Sequence, residues 1–409
     1  MARTRTLSDL KDGELEGRRF LARVDYNVPL DPEGEVSAAT RIDATLPTLE
    51  RLREAGASAV LVSHLGRPKG KWDPSSSLAS VARELSRRIG YEVPLLTDPP
   101  GSRELEDRVG SIEPGRIALM ENIRFHPGET ENDPQFAEAL ASLAEGFVGE
   151  AFGTAHRAHA SNVGAARIIR ERGGPAVAGL LMARELRFLR ECLADPERPF
   201  VAILGGAKIS GKIDLIRAIL PRVDRLIIGG AMANTFFRAL GLETGESLLE
   251  EDRVAMAAEL LESGGETILL PVDCVVAEEI SADAQVRDCD REAVGPADRI
   301  GDIGPRSREI FSREVLNAGT VLWNGPMGVF ELEPFREGTF HLARVLADQA
   351  DAGVPVVVGG GDSAAAAAAA GVSGRMTHVS TGGGASLDLL AGNELPGVTV
   401  LETVEMASR

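Results

Sequence analysis

The chain has 409 residues, a formal net charge of −18 at pH 7 and an apolar content of 44%. A chain of this length exceeds one ordinary hydrophobic core, so two domains of about 200 residues each are expected. The strong negative charge argues against a general nucleic-acid partner and against binding to an anionic membrane.

The N-terminal segment and the cysteines indicate the compartment. No apolar core follows the charges of residues 1–7, and no run approaches the ~20 apolar residues that a spanning helix needs. Cys192, Cys274 and Cys289 are odd in number, far apart and without metal-ligand spacing. We therefore expect a soluble, cytoplasmic protein with free thiols and no membrane partner.

Apolar, β-branched runs alternate with amphipathic stretches along the chain. The predicted strands cover residues 20–22, 59–62, 117–120, 200–204, 226–228, 268–270, 321–323 and 354–358. This alternation predicts an α/β fold with doubly wound, Rossmann-like parallel sheets. Ligands of such sheets bind beyond the carboxyl ends of the strands, so the residues just after each run are the candidates for a site.

In the first half, the segments after the apolar runs carry mostly cationic side chains. They are Arg23 with Asp25 and Asn27, His64 with Arg67, Arg124 with His126, and His156 and Arg157 with His159, while Arg41 lies in a separate segment. For any one of these residues taken alone, a surface ion pair is the better explanation. Four strand ends that share one charge type, on so acidic a chain, predict a pocket for a small polyanion.

Residues 173–175, Gly-Gly-Pro, predict a domain boundary. Beyond them Ala178, Met182, Leu186, Leu189 and Leu193 recur at helical spacing, and residues 195–199 end the pattern. We expect an N-terminal domain over residues 1–174, a connector helix over 175–194 and a C-terminal domain over 195–395. A plain core helix fits the same spacing equally well.

The segment from Gly205 to Lys212 carries the clearest chemical signal of the second half. Among 44 Lys and Arg residues the chain has only five lysines, at 11, 69, 71, 208 and 212. Two of them lie here, between an apolar run and a helical pattern. A strand, a glycine turn and a helix N-terminus bind anions, and Lys is a compact charge that can follow a moving phosphoryl group. The segment therefore predicts phosphate chemistry.

Glycine clusters follow other apolar runs of the second half, at residues 229–230, 359–361 and 382–384. Glycine lets backbone N–H groups approach phosphates closely. Asp362 precedes a run of alanines, 364–370, which predicts a helix. Its carboxylate fits either a cap of that helix or a ligand that helps to hold Mg²⁺ on a nucleotide.

Three other enzyme classes fit less well. Gly206 to Lys212 matches the first part of a Walker A loop, but Ile213 stands where Ser or Thr should bind Mg²⁺. No Gly-x-Gly-x-x-Gly follows a strand, which disfavours dinucleotide binding. No Gly-x-Ser-x-Gly turn supports nucleophilic hydrolysis.

Longer motifs, in order along the chain, resemble those of the phosphoglycerate kinase family. In the first half they are RVDYNVP at 23–29, SHLGRP at 63–68, ENIRFH at 121–126 and AFGTAHRAH at 151–159. In the second half they are GGAK at 205–208, WNGPMGVFE at 323–331, GGGDS at 359–363 and STGGGASL at 380–387. Each motif is far longer than a lone glycine pattern, so the resemblance is specific.

The resemblance implies a two-domain, monomeric kinase that exchanges a phosphoryl group between 1,3-bisphosphoglycerate and ADP, with Mg²⁺ on the nucleotide. The implied glycerate ligands are Arg23, Asp25, Asn27, Arg41, His64, Arg67, Arg124 and Arg157. The implied nucleotide ligands are Lys208, Lys212, Gly230, Asn324, Pro326, Glu331, Gly359, Gly360, Gly361, Asp362 and Ser363, with Asp362 also the metal ligand. The implied catalytic residues are Arg41, Lys208, Gly361 and Gly384. The resemblance also implies that the tail, residues 396–409, packs back on the first domain.

Some positions depart from the commoner family pattern. Gly149-Glu150 stands where Asn-Asp is frequent, Gly211 replaces a frequent Asp, Ala231 a frequent Gly and Asp388 the usual Glu. None of these residues has a catalytic role in this interpretation. A catalytically silent relative that only binds ligands is the alternative, and a P-loop-type NTPase is a weaker one. A silent relative is expected to lack Lys208, Arg41 or Asp362, and all three are present.

Overall fold

The computed structural model describes the backbone of residues 2–405 and their side chains except those of 2, 191–194 and 405. The described chain forms two compact units. The first contains the residues up to Leu186 together with those from Glu394 onward, and the second contains Arg187–Asn393. The sequence expectations for Cys192, Leu193 and residues 406–409 lie outside the described side chains or residues.

The first unit is built on a parallel sheet of six strands in the order β4-β5-β3-β2-β6-β7. Its strands are β2 (Arg19–Arg23), β3 (Ser58–Val62), β4 (Leu95–Leu96), β5 (Ile117–Met120), β6 (Gly146–Gly149) and β7 (Ala176–Ala178). Every residue of β3, β5 and β6 is buried. A parallel sheet covered on both faces requires such continuous apolar runs, so the prediction of a doubly wound sheet is confirmed.

Ten α-helices of the described residues flank or follow this sheet, from α1 to α9 and α17. They are α1 (Asp12–Leu15), α2 (Thr40–Asp43), α3 (Leu46–Glu54), α4 (Ala79–Ile89), α5 (Arg103–Gly110), α6 (Pro127–Glu131), α7 (Pro134–Ala141), α8 (Ala165–Glu171), α9 (Leu180–Ala194) and α17 (Pro396–Thr399). A π-helical turn, Ala160–Gly164, precedes α8.

The second unit is built on another six-stranded parallel sheet, in the order β10-β9-β8-β14-β15-β16. Its strands are β8 (Phe200–Leu204), β9 (Arg225–Ile228), β10 (Ile268–Leu269), β14 (Thr320–Asn324), β15 (Val356–Val358) and β16 (His378–Val379). Its helices are α10 (Ile213–Ile219), α11 (Met232–Ala239), α12 (Val254–Gly264), α13 (Pro305–Leu316), α14 (Glu337–Asp351), α15 (Gly361–Ala369) and α16 (Gly384–Leu390).

A small antiparallel sheet in the second unit was not expected from the sequence. It consists of β11 (Asp273–Ala277), β12 (Arg287–Asp290) and β13 (Arg299–Ile303), with β11 in the middle. The residues of β12 are mostly exposed and charged. This strand lacks the apolar run on which the strand prediction depended, and its pairing with β11 makes it a strand.

The connector helix is shorter than expected. Residues 175–179 do not belong to it, because Ala176–Ala178 form β7 of the first sheet and the helix begins at Leu180. The helical spacing between Ala178 and the apolar residues of α9 is therefore coincidental. The boundary between the two units falls inside α9, between Leu186 and Arg187.

The end of the described chain lies in the first unit. Strand β17 (Thr403–Glu405) pairs antiparallel with β1 (Ala2–Thr4). Arg5 also forms an ion pair with Glu402, 2.6 Å between Nη1 and Oε2.

Candidate active site

The cationic segments of the first unit lie at one edge of its sheet. They follow β5, β3, β2 and β6, which are consecutive neighbours and run parallel. The carboxyl ends of parallel strands point the same way, so the topology brings together the four strand ends that the sequence singled out.

Arg23 ends β2 and is 1% exposed. Its Nε donates to Ser161 Oγ at 2.8 Å, and Nη1 donates to the carbonyl of Val24. Its Nη2 lies 3.3 Å from Nδ1 of His64. Burial lowers the pKa of Arg23, while Glu129 and Asp25 act in the opposite direction. Arg23 is therefore a buried cation whose orientation is fixed by its neighbours.

His64 does not supply a positive charge, contrary to the sequence expectation. Burial lowers the pKa of His64 well below its usual range, and Arg23 and Arg124 reinforce the effect. The nearby donor Nη2 of Arg23 matches an Nδ1 that accepts a hydrogen bond. His64 is thus a neutral group near pH 7, and its part in the site is hydrogen bonding.

Two further contacts join neighbouring loops at this edge. Asp25 accepts a hydrogen bond from Nη1 of Arg41 at 2.8 Å, which links the end of β2 to α2. Asn27 accepts from the backbone N–H of Gly66 at 2.9 Å, and Arg124 donates to the carbonyl of the same Gly66 at 3.1 Å. These contacts connect three of the four cationic segments.

The arginines at this edge repel one another. The pKa of Arg124 falls to about 10, mainly through burial and then through the charges of Arg23 and Arg157. A cluster of cations that are partly desolvated gains most when an anion binds among them. Arg157 is exposed and its Nε lies 3.2 Å from Nε2 of His156, and Arg67 is exposed in the loop after β3.

In the second unit, glycine turns at the ends of β8, β9 and β14 pack backbone against backbone. Gly206 N–H donates to the carbonyl of Pro326 at 2.8 Å. Gly230 has a φ of +66°, and a Cβ there would lie 2.5 Å from the nitrogen of Gly206. Larger residues do not fit this arrangement, so glycine is required by close packing as well as by backbone conformation.

These turns border a cavity of about 580 Å³. Its wall contains several of the predicted nucleotide ligands, namely Gly230, Pro326, Glu331 and Asp362. A cleft of this volume at the carboxyl ends of a parallel sheet suits a small-molecule ligand.

The two lysines of the second unit have different surroundings. Lys208 is exposed in the turn after β8. The ammonium of Lys212 donates to the carbonyls of Gly205 at 2.5 Å and Asn324 at 2.8 Å, which joins the ends of β8 and β14. Burial lowers the pKa of Lys212 to about 8, while Asp362 acts to raise it. Lys208 is thus the lysine whose ammonium faces solvent.

Asn324 and Ser363 hold the neighbouring glycine turn. Asn324 Nδ2 donates to the carbonyl of Gly359 at 2.8 Å. The buried hydroxyl of Ser363 donates to the same carbonyl at 2.7 Å and accepts from Gly325 N–H at 2.6 Å. Both side chains therefore fix the backbone at the ends of β14 and β15.

Asp362 does not cap its helix, which corrects one of the two sequence interpretations. The N-cap of α15 is Gly360, with a φ of +92°, and no side chain caps it. Asp362 stands in the first helical turn and is exposed at the cavity wall. Gly384 similarly begins α16 after β16. The carboxylate of Asp362 is thus available to a cation near the glycine turns.

Sequence reasoning missed several buried carboxyl groups, among them Glu129, Glu150 and Asp302. Burial raises the pKa of both Glu150 and Asp302 to about 7. Asp302 lies in β13 at the cavity wall and accepts the N–H groups of Ile303 and Gly338. The departure at Gly149-Glu150 was the only signal for any of them, because burial of a single polar residue is not visible in a sequence.

The described residues hold no helix long and apolar enough to cross a membrane. Within the same residues, no group of three or more His, Cys, Asp or Glu side chains has an arrangement that could bind a metal ion.

Comparisons with known proteins agree along nearly the whole chain. The model of the family described as phosphoglycerate kinase matches residues 10–393. The phosphoglycerate kinase of Chlorobaculum tepidum is 50% identical over 401 residues, covering 97% of this chain and 99% of that protein. The phosphoglycerate kinase of Chlorobium phaeobacteroides is 49% identical over 396 residues, covering 96% and 98%.

Solved structures show the same similarity. Phosphoglycerate kinase from Coxiella burnetii matches with a TM-score of 0.86 at 39% identity, over 97% of this chain and 98% of that chain. Phosphoglycerate kinase from Pyrococcus horikoshii matches with a TM-score of 0.81 at 31% identity, over 96% and 98%.

Proposed function

The chain belongs to the phosphoglycerate kinase family, and we infer from this that it transfers a phosphoryl group reversibly between 1,3-bisphosphoglycerate and ADP, giving 3-phosphoglycerate and ATP. It is a phosphotransferase with a carboxyl group as acceptor, and its reaction belongs to glycolysis. The observation that carries this conclusion is the match over nearly the full length of both chains. A catalytically silent relative is disfavoured, because Lys208, Arg41 and Asp362 are all present.

We place the glycerate substrate at the cationic edge of the first unit. Arg23, Arg41, Arg67, Arg124 and Arg157 would bind its carboxylate and phosphate, because guanidinium groups bind both bidentately. Asp25, Asn27 and His64 would form hydrogen bonds with the neutral parts of the substrate. This placement of the substrate is supported by the convergence of four strand ends and by the mutual repulsion of the arginines.

We place the nucleotide at the glycine turns of the second unit. Backbone N–H groups of Gly360, Gly361 and Gly384 would meet the phosphates, beside Gly359, Gly230, Asn324, Pro326 and Glu331. Lys212, Asn324 and Ser363 would act mainly by fixing the turns, since their polar atoms are bonded to backbone groups. Lys208, whose ammonium is exposed, would reach the transferred group.

Magnesium fits this site as an ion held mainly by the nucleotide. Mg²⁺ commonly binds one or two carboxylates together with substrate phosphates, and Asp362 offers one exposed carboxylate at the cavity wall. When bound, the ion would neutralise charge on the nucleotide phosphates. We also propose that the protein acts as a monomer in the cytoplasm.

The chemistry needs little from the protein beyond orientation and charge. In the ATP-consuming direction the attacking group is a carboxylate, which is already ionised at neutral pH, so no general base is required. Arg41 and Lys208 would flank the moving phosphoryl group and stabilise its charge. Gly361 and Gly384 would add backbone donors at the N-termini of α15 and α16.

The direct test is a coupled assay of the purified protein with 3-phosphoglycerate, ATP and Mg²⁺. We expect rapid formation of 1,3-bisphosphoglycerate, and no formation when 3-phosphoglycerate is omitted. Nucleotide binding without turnover in the intact protein would instead favour a silent relative.

A further inference from the structure

Glu129, in α6, is 0% exposed and has no place in the mechanism above. Its carboxylate accepts both donors of one residue, Ser161, in the π-helical turn before α8. The backbone N–H of Ser161 donates to Oε2 at 2.9 Å, and its hydroxyl donates to Oε1 at 2.7 Å. The same hydroxyl oxygen accepts from Nε of Arg23 at 2.8 Å. Ser161 therefore lies directly between a buried carboxylate and a proposed substrate ligand.

The direction of these hydrogen bonds is determined by the groups involved. A guanidinium only donates, so Ser161 Oγ must accept from Arg23. An ionised carboxylate only accepts, so the single hydroxyl proton of Ser161 must point to Glu129. The carboxylate thus orients the hydroxyl, and the hydroxyl orients the guanidinium.

The charge of Glu129 also matches the cluster that it faces. Burial acts to raise the pKa of Glu129, but His159, Arg23 and Ser161 outweigh it and the net pKa is lowered. Its charge in turn acts to raise the pKa of both Arg23 and Arg124. Nδ1 of His159 lies 3.6 Å from Oε1 of the same carboxylate. Glu129 is therefore the buried anion among the arginines at this edge of the sheet.

We propose that Glu129, acting through Ser161, is a positioning residue that holds the Arg23 guanidinium in the orientation that binds the glycerate substrate. The proposal rests on the proposed function, because it takes Arg23 as a ligand of 3-phosphoglycerate. Glu129 itself touches no substrate in this account. Its effect on the reaction is confined to the affinity of the first unit for its anion.

Glu129, Ser161 and Arg23 form a relay, in which Glu129 orients the Ser161 hydroxyl and that hydroxyl orients the Arg23 guanidinium. The first test removes this relay and keeps the buried charge of Glu129. Ser161→Ala deletes the hydroxyl between Glu129 and Arg23. We expect the KM for 3-phosphoglycerate to rise about tenfold, the size of one lost hydrogen bond to a charged group. The kcat should change less than about twofold, because it depends on the groups that contact the transferred phosphoryl. The KM for ATP should not change, because it depends on groups in the second unit.

The second test removes the charge and keeps the shape. Glu129→Gln places one NH₂ group against a donor of Ser161, so one of the two hydrogen bonds is lost. We expect the KM for 3-phosphoglycerate to rise at least as much as in Ser161→Ala, again without a matching rise for ATP. The double variant should be no worse than the more affected single variant, because both changes break the same relay. Additive losses in the double variant would contradict the relay.

A matched control separates positioning from general destabilisation. Ser86 in α4 also carries two hydrogen bonds on its hydroxyl, donating to Ala82 and accepting from Val93 N–H. Ser86→Ala should lower the melting temperature without changing either KM. If Glu129→Gln does not fold, Ser161→Ala and this control still decide the question.

The outcomes distinguish this proposal from the proposed function. An active wild type with an unchanged KM for 3-phosphoglycerate in Ser161→Ala overturns the relay alone. An equal rise of the KM for both substrates also overturns it, since that indicates general loosening. An inactive wild type overturns the proposed function, and the relay with it.

Discussion

At the scale of single residues, burial decides the chemistry of the cationic edge as much as residue type does. His64 and Arg23 are both cationic residue types, yet the pKa of His64 is lowered far enough to leave it neutral. Arg23 stays charged because a guanidinium cannot lose its proton near pH 7 and because Glu129 lies nearby. The edge therefore combines fixed charges with a neutral hydrogen-bonding group.

Lys208→Ala should lower kcat by about 10³-fold while the KM values change less, because one cation at a transferring phosphoryl group supplies a factor of this size. The loss should appear in kcat since the contact forms only as charge moves. Steady-state kinetics with 3-phosphoglycerate and ATP measure both constants.

A surface lysine of the other unit provides the control for this variant. Lys71 is also exposed, and Lys71→Ala removes the same charge from the protein. Its kcat should stay within about twofold of the wild type, as expected for a surface change. An unchanged kcat in Lys208→Ala would remove Lys208 from the mechanism.

At the scale of elements, the turns after the strands are shaped by close backbone packing. Gly230→Ala should destabilise the protein by about 1–3 kcal/mol or more, because φ is +66° and the new Cβ would meet Gly206. Affinity for ATP should fall as well, since the same turn borders the cavity. Urea unfolding and calorimetric titration with ATP measure the two effects.

Gly211 offers the matched glycine control. A Cβ at Gly211 would have no heavy atom within 4 Å, so Gly211→Ala should change the free energy of unfolding by less than about 1 kcal/mol. It should leave ATP binding unchanged. If Gly230→Ala behaved like Gly211→Ala, close packing would not be the reason for glycine in that turn.

The N-terminus of α9 rests on a buried carboxyl group. Glu150 accepts the N–H groups of Leu181 and Met182, both at 3.1 Å, and the hydroxyl of Thr48. Burial raises the pKa of Glu150 from 4.5 to about 7, and Glu185 adds to the rise. Between these two pH values the folded protein keeps a proton that the unfolded chain has lost. The contribution of Glu150 to stability therefore falls as pH rises from 4.5 to about 7.

Glu150→Gln should remove that pH dependence, which amounts to on the order of 2 kcal/mol across the interval. The measurement is the free energy of urea unfolding of both proteins at pH 5 and pH 8. Asp302, whose pKa is also raised to about 7, contributes equally to both proteins and cancels in the difference. Equal slopes in wild type and variant would mean that Glu150 does not titrate in this range.

At the scale of the whole molecule, the proposed reaction joins two ligands that we place in different units. Phosphoryl transfer requires the attacking carboxylate and the terminal phosphate to lie in line and water to be excluded. We therefore expect the radius of gyration to decrease when both 3-phosphoglycerate and a non-hydrolysable ATP analogue are bound. Small-angle scattering with each ligand alone is the control. An unchanged radius of gyration with both ligands bound would argue against a movement that brings the two ligands together.

Much of the fold was predictable because its strands are continuous apolar runs. Residues 59–62 and 200–204 were expected as strands, and both lie inside fully buried strands of the two sheets. Strand β12 was not predictable, because its residues are exposed and charged and only pairing with β11 makes it extended. The start of α9 was misplaced for a similar reason, since Ala178 fits a helix by spacing but pairs with β6 as a strand.

By itself, the sequence determined the fold class, the family and the strand ends that carry charge or glycine. These depend on residue type and spacing, which a sequence contains directly. Only the tertiary structure decided which of those groups are charged and which are fixed. His64 is neutral, Lys212 is bonded to two carbonyls, and Ser161 links Glu129 to Arg23. Desolvation and hydrogen bonding between residues far apart in the chain set these properties, and neither is written in a local pattern.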